Sequence, residues 1–390
     1  MPVRCLTRDM KTKFIYLFVG LTFLNLSAQK KSVLKIAAVG DIMLGTAYPD
    51  RSLLPKYNSF YLFKPLIPYL KNADVTFGNL EGTLTDDLSE VKNCYTDGRC
   101  YFFAMPTASA VSLKNAGFNI LSLANNHIND FGPVGRKSTR RSLRSQKIHF
   151  AGLTECPVDT FTKDGVRYGF CAFAPNAGTT SIKNIKRAAK IVHYLDSISD
   201  VVIVSFHAGG EGVGWQHVSR QKEFYIGEDR GNVYQFAHRM IDAGADVLLG
   251  HGPHVTRAVE LYKKRFITYS MGNFCTYSCV SVAGQCGIAP LFQIFTSSEG
   301  EFIRAQIIPT YQQKFHPPRY DEKKRAISVI QKLTKTDFPE MDKVIRIDND
   351  GWIEPLNPRI KILRNKNPEF RAGNLNKPKN SYELQAVSYK

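Results

Sequence analysis

The feature that most constrains this chain is a repeated arrangement in which a short apolar run stops on a residue able to bind a metal or move a proton. Residues 119–124 (NILSLA) form such a run of strand length, and Asn125, Asn126 and His127 follow it directly. A strand buried on both faces must be apolar, so in a parallel α/β sheet the polar working groups collect just past the carboxyl ends of the strands. The arrangement recurs along the chain. Residues 35–41 (KIAAVGD) end on Asp41, and 73–78 lead into Glu81. The run 200–206, rich in β-branched residues, opens onto His207; 246–249 lead to His251 and His254, and 266–270 to Asn273. Each ending alone has an ordinary explanation, since Asn-Asn and Gly-Asn are turn dipeptides and a lone His can satisfy a backbone carbonyl. Six endings are another matter. If the strands lie side by side in one sheet, their termini fall along one edge and gather carboxylates, an amide and imidazoles at one crevice. That mixture suits divalent metals and proton transfer near neutral pH.

The segments between these runs read as helices and turns. Residues 60–71 suggest a short helix interrupted by Pro65 and Pro68, and 109–117 a helix ending on Gly117. A strongly basic helix is expected over 136–146, its charge a solvated face, and another over 232–243; a strand is expected over 166–174. With 390 residues, 43% hydrophobic and 12% aromatic, the chain can bury a sizeable core as one large or two ordinary domains. The alternation of strand-like and helix-like segments is that of an α/β protein.

The N-terminus points to export. Arg4, Arg8, Lys11 and Lys13 precede an apolar run over 14–26, and Ser27-Ala28 supplies a small-residue cleavage site, so residues 1–28 read as a signal peptide. An uncleaved anchor is the alternative reading, and Met10 an alternative start. Export places the mature chain in the periplasm, the cell envelope or outside the cell. In such an oxidising setting Cys94 and Cys100, which bracket the turn-rich loop YTDGR, are expected to form a disulfide. Cys275, Cys279 and Cys286 cluster without paired zinc spacing, and their connectivity stays open; Cys171 reads as a core thiol. The net charge of +18 suits an anionic counter-surface, and export argues against nucleic acid. No P-loop, G-x-G-x-x-G or G-x-S-x-G is present. Residues 356–390 are Asn-, Lys- and Pro-rich and are expected to form a basic, flexible tail.

The series AAVGDIMLG, FGNLEGTLTD, LANNHINDFG, SFHAGGEG, LLGHGPHV and YSMGNF resembles the bacterial CapA (PgsA) family of capsule and poly-γ-glutamate synthesis, itself similar in fold to calcineurin-like metallophosphoesterases. The resemblance covers residues 34–355. It implies a layered α/β/β/α sandwich with the helices outside, spanning 32–355, and one or two divalent ions, Mn, Zn or Fe. It casts Asp41, Glu81, Asn126, His207, His251 and His254 as metal ligands, with Asp41 and His127 catalytic and His127 protonating the leaving group. Asn125, Glu211 and Asn273 would face the substrate. Three features depart from the metallophosphoesterase pattern: Met43 replaces a second histidine in the first motif, Glu81 stands where that pattern has a bridging aspartate, and two residues separate His251 from His254. The implied substrate is an anionic polymer or phosphoester, and the implied partners are membrane-associated components of capsule or polyglutamate synthesis. The opposing reading is a non-catalytic envelope scaffold that holds or helps export the polymer.

Export is directly testable. Replacing Phe18 and Leu21 together by Arg puts charge into the apolar stretch, and precursor is expected to accumulate in the cell. Unchanged processing and secretion of that double variant would contradict the signal-peptide assignment.

Overall fold

The computed structural model describes residues 32–93 and 101–357. The signal segment 1–28, the Cys94/Cys100 pair and the tail beyond 357 lie outside the described residues. In chain order the principal strands are β1 (Val33–Met43), β2 (Val75–Leu80), β3 (Ile120–Ser122), β4 (His149–Ala151), β5 (Val158–Lys163), β6 (Val166–Phe173), β7 (Val201–His207), β8 (Val247–His251), β9 (Val259–Tyr262), β10 (Arg265–Thr268), β11 (Asn273–Thr276), β12 (Ile288–Ser297), β13 (Phe302–Tyr311), β14 (Ile345–Ile347) and β15 (Trp352–Pro355). The principal helices are α1 (Ser109–Ala116), α2 (Gly132–Ser145), α3 (Ile185–Ile198), α4 (Val233–Asp242) and α5 (Arg325–Asp337).

These strands form two sheets. One runs β14-β15-β13-β12-β1-β2-β3-β4, with β1 to β4 parallel and β11 joining the far end of β1, also in parallel. The other runs β9-β10-β8-β7-β6-β5, with a parallel centre and antiparallel edges. The sheets face each other across a common core. Phe77 of β2 meets Phe170 of β6 edge-on at 5.9 Å, and Phe266 of β10 meets Phe292 of β12 at 5.6 Å. Successive side chains on a strand point to opposite faces, so Phe173, three residues beyond Phe170, turns outward to Phe236 of α4. The result is the expected α/β/β/α layering. α3 and α4 cover one outer face, and α1, α2 and the segment 59–70 cover the other.

Local chemistry explains most helix limits. Asn232 caps α4 by accepting from Gln235 N at 2.8 Å, and the buried Val233, Phe236, Ala237, Met240 and Ile241 make one apolar stripe. α1 stops at Gly117, whose φ of 107° suits glycine. Pro65 and Pro68 leave the expected helix over 60–71 as a 3₁₀ stretch, Ser59–Leu66, followed by a single turn, Ile67–Leu70. The basic helix is present as α2, which buries only Gly135, Thr139 and Leu143. Among the described residues no helix is long and apolar enough to cross a membrane.

The expectation of six termini on a single sheet needs correcting. Asp41, Glu81, Asn126, His127 and Asn273 come from the first sheet, whereas His207, His251 and His254 come from the second. Face-to-face packing brings the two edges together. A close backbone approach fixes the end of β1: Asp41 N donates to Gly272 O at 2.9 Å, and a Cβ on Gly40 would meet that oxygen at 1.9 Å, so only glycine fits there.

Candidate metal centre

The centre is built on register. At the carboxyl end of β1, Asp41 is paired with Asn79 of β2 on one side and Asn273 of β11 on the other. On the opposite sheet His251 of β8 is paired with His207 of β7. Asp41 is fully buried and surrounded by donors. Asn79 Nδ2 donates to its Oδ1 at 2.9 Å, His254 Nδ1 lies 3.1 Å from its Oδ2, and His251 Nδ1 lies 3.4 Å from Oδ1. Asn273 Oδ1 is a second acceptor for His254 Nδ1, at 3.0 Å. With two acceptors facing it, Nδ1 carries the ring proton, and Nε2 is the ligand atom left over. That Nε2 lies 3.5 Å from Glu81 Oε1.

Asp41, Glu81 and His254 each offer a ligand atom, and these atoms lie within 4.8 Å of one another. Both oxygens of the fully buried Glu81 lack a hydrogen-bond partner, as do His207 Nε2, both ring nitrogens of His251 and Asn126 Oδ1. A buried polar atom left unpaired costs about 1–3 kcal/mol. Carboxylate oxygens of Glu81 left without a hydrogen bond beside Asp41 and His254 are what a cation satisfies, so the residues present fit a divalent ion.

The electrostatics agree. Burial pushes the Asp41 carboxyl up, but hydrogen bonding and charge from His251 and His254 prevail and hold it well below the usual range. Burial, followed by the charge of Asp41, drives Glu81 well above its usual value. For His254 burial favours the neutral ring, yet Glu81 and Asp41 outweigh it and raise its pKa well above normal. His207 goes the other way: burial dominates and pushes it well below normal.

The remaining candidates fall around this group. His254 reaches Asp41 across the longer closing motif by taking a left-handed backbone, φ 57°. Met43 turns its sulfur to Gly45 N at 3.3 Å. His127 Nδ1 lies 2.7 Å from Asp130 Oδ2 and its ring stacks on Phe103 at 4.0 Å, so Nε2 is its working end. Asp130 also accepts from Phe103 N at 2.8 Å and pairs with Lys92. Three expected substrate contacts sit differently. Asn125 is buried behind the centre, donating to Asn79 Oδ1 at 3.2 Å and Leu80 O at 2.8 Å while its Oδ1 accepts from His127 N at 3.1 Å. Asn273 spends its Nδ2 on the carbonyls of His254, Ser281 and Cys286 and so positions His254. Glu211 pairs with the buried Arg230. Sequence reasoning missed Asn79 and Asp130. The polar residue inside the run VTFGNL and the carboxylate three residues after His127 were the available signals.

The family model for the bacterial capsule synthesis protein PGA_cap matches residues 35–278. The chain belongs to this family. It is 29% identical over 260 residues to the capsule biosynthesis protein CapA of Bacillus anthracis, covering 62% of this chain and 59% of that protein. It is 27% identical over 258 residues to the PGA biosynthesis protein CapA of Bacillus subtilis (strain 168), covering 62% and 63%. This PGA_cap chain thus spans about three fifths of the length of those curated relatives. Among solved structures, a purple acid phosphatase from yellow lupin overlaps 76% of this chain and 55% of its own, with a TM-score of 0.37 and 11% identity, too loosely to bear on chemistry.

The raised pKa values of Glu81 and His254 predict a pH dependence for any cation bound at this PGA_cap centre. In the ion-free protein both groups stabilise the fold at low pH, and that contribution is lost as pH rises through their folded values. A cation must displace the same protons, so affinity is expected to rise with pH. Calorimetric titration with Mn²⁺ at about pH 6 and about pH 8 should show tighter binding at the higher pH, with proton release. Equal affinity without proton release would contradict the assignment.

Proposed function

We propose that this protein is an exported component of capsule or poly-γ-glutamate metabolism that uses a divalent cation to hydrolyse or transfer a bond in an anionic polymer or phosphoester. Membership of the PGA_cap family supports the setting, and one observation carries the chemistry: both oxygens of Glu81 are buried and unpartnered beside Asp41 and His254. Carboxylates mixed with imidazole suit Mn, Zn or Fe. Asp41, Glu81 and His254 would hold the ion, which would supply Lewis acidity toward a phosphoryl or acyl oxygen. The protein's own residues do the rest. Asp130 fixes the His127 tautomer and Phe103 fixes its ring plane, which leaves Nε2 to deliver a proton to a leaving group. Asn273 and Asp41 orient His254, and Asn125 holds Asn79, which donates to Asp41. The net charge of +18 favours an anionic polymer at the protein surface, together with membrane-associated synthesis components that handle it.

Three variants separate the roles, assayed on poly-γ-glutamate and on a model phosphodiester. Asp41→Asn and Glu81→Gln should lose bound cation and turnover together. His127→Ala should keep the cation but lower turnover by on the order of a hundredfold, with a smaller loss on substrates whose leaving group needs no proton. Activity surviving in both carboxylate variants would refute the metal-hydrolase reading. No cation and no turnover in the parent protein, with salt-sensitive polymer binding, would favour the scaffold.

A further inference from the structure

Between Asp41 and His207 lies the side chain of Asn79. Its Nδ2 donates to Asp41 Oδ1 at 2.9 Å and lies 3.5 Å from His207 Nδ1, while its Oδ1 accepts from Asn125 Nδ2 at 3.2 Å. An ionised carboxylate only accepts and an amide nitrogen only donates, so the partners on either side allow the Asn79 amide one orientation. Its N–H groups therefore point into the space between the two sheet edges, and an N–H group cannot ligate a cation.

We infer that the centre holds a single divalent cation rather than a pair, and that Asn79 is the residue that sets this count. The inference rests on the cation reading above and refines it. Two ions held about 3.5–4 Å apart work as a unit across shared acceptors. Here the position next to Asp41, in register with it, carries a neutral amide presenting its donors. Charge leads to the same conclusion. Asp41 and Glu81 together balance one divalent ion; a second would leave two uncompensated positive charges in a buried centre, where unpaired charge is costly. The nearby acid Glu211 offers no relief, its charge being met by the buried Arg230. The unpartnered His251 Nε2 and Asn126 Oδ1 make sense in this light, as neutral acceptors lacking the carboxylate that would complete a second site.

Metal counting tests this without any activity assay. The full-length protein, loaded with excess Mn²⁺ and desalted, should retain one Mn per chain by elemental analysis, with the paramagnetic resonance signal of an isolated ion. Asn79→Asp puts an acceptor and a charge in place of the donor beside Asp41 and should raise the count to two, with a spin-coupled signal. Asn79→Ala, which removes the donor without adding charge, should stay at one. Two ions in the parent protein would overturn the inference while leaving the metal-hydrolase reading intact, and none would remove both. A folded Asn79→Asp protein still holding one ion would show that Asn79 does not set the count. Should that variant fail to fold, native mass spectrometry of the parent protein with Mn²⁺ decides between one ion and two.

Discussion

The structure turns on the burial of one carboxylate. Asp41 sits at the end of the central strand of the larger sheet, shut off from water, and such a group is tolerated only when donors surround it. Its donors come from both sheets: Asn79 from the neighbouring strand, His251 and His254 from across the interface. Satisfying Asp41 therefore requires the two sheets to meet at this edge, and their meeting creates the crevice into which Glu81 projects. The close contact of Gly40 with Gly272 serves the same end, because it lets β11 lie against β1 and bring Asn273 to His254.

Glu81 is the member that this scaffold leaves unsatisfied. Asn79 and His254 are hydrogen-bonded to Asp41, whereas neither Glu81 oxygen has a hydrogen bond although both lie beside Asp41 and His254. A folded protein that keeps a buried acid without a hydrogen bond beside a second acid gives up stability for it, and function is the usual reason. The polar residues behind the centre pair with one another in an ordered way. Asn125 holds Asn79, Asn79 holds Asp41, and Asp130 holds His127. Supporting contacts of this kind hold Asp41 and His127 in fixed positions.

Much of the site was legible in the sequence because strand ends are a local signal. Runs such as KIAAVGD and DVVIVSFH declare both a buried strand and the polar residue that leaves it, and Asn232 and Gly117 mark helix limits for reasons confined to a few residues. What stayed hidden depends on long-range pairing. Nothing within a single run says which sheet it joins, so the split of the six endings between two sheets could not be read. Asn79 lies inside an otherwise apolar strand, and its meaning appears only once register sets it opposite Asp41. Asn125 and Asn273 have the right chemistry for substrate contacts, but their amides are taken up by Asn79, His254 and the loop carbonyls, partners distant in sequence. The β12–β13 hairpin pairs two long strands around the turn Ser297–Gly300, and Pro290 within the first run obscures its strand character.

The claim at the centre of this account is that Asp41, Glu81 and His254 share a cation. Anomalous diffraction from crystals of the protein grown with Zn²⁺, measured on both sides of the zinc absorption edge, locates such an ion directly. The account predicts a zinc peak within about 2.0–2.2 Å of a Glu81 oxygen and of His254 Nε2, beside Asp41. A zinc peak found only elsewhere on the protein, with the Glu81 carboxylate still unliganded, would contradict it.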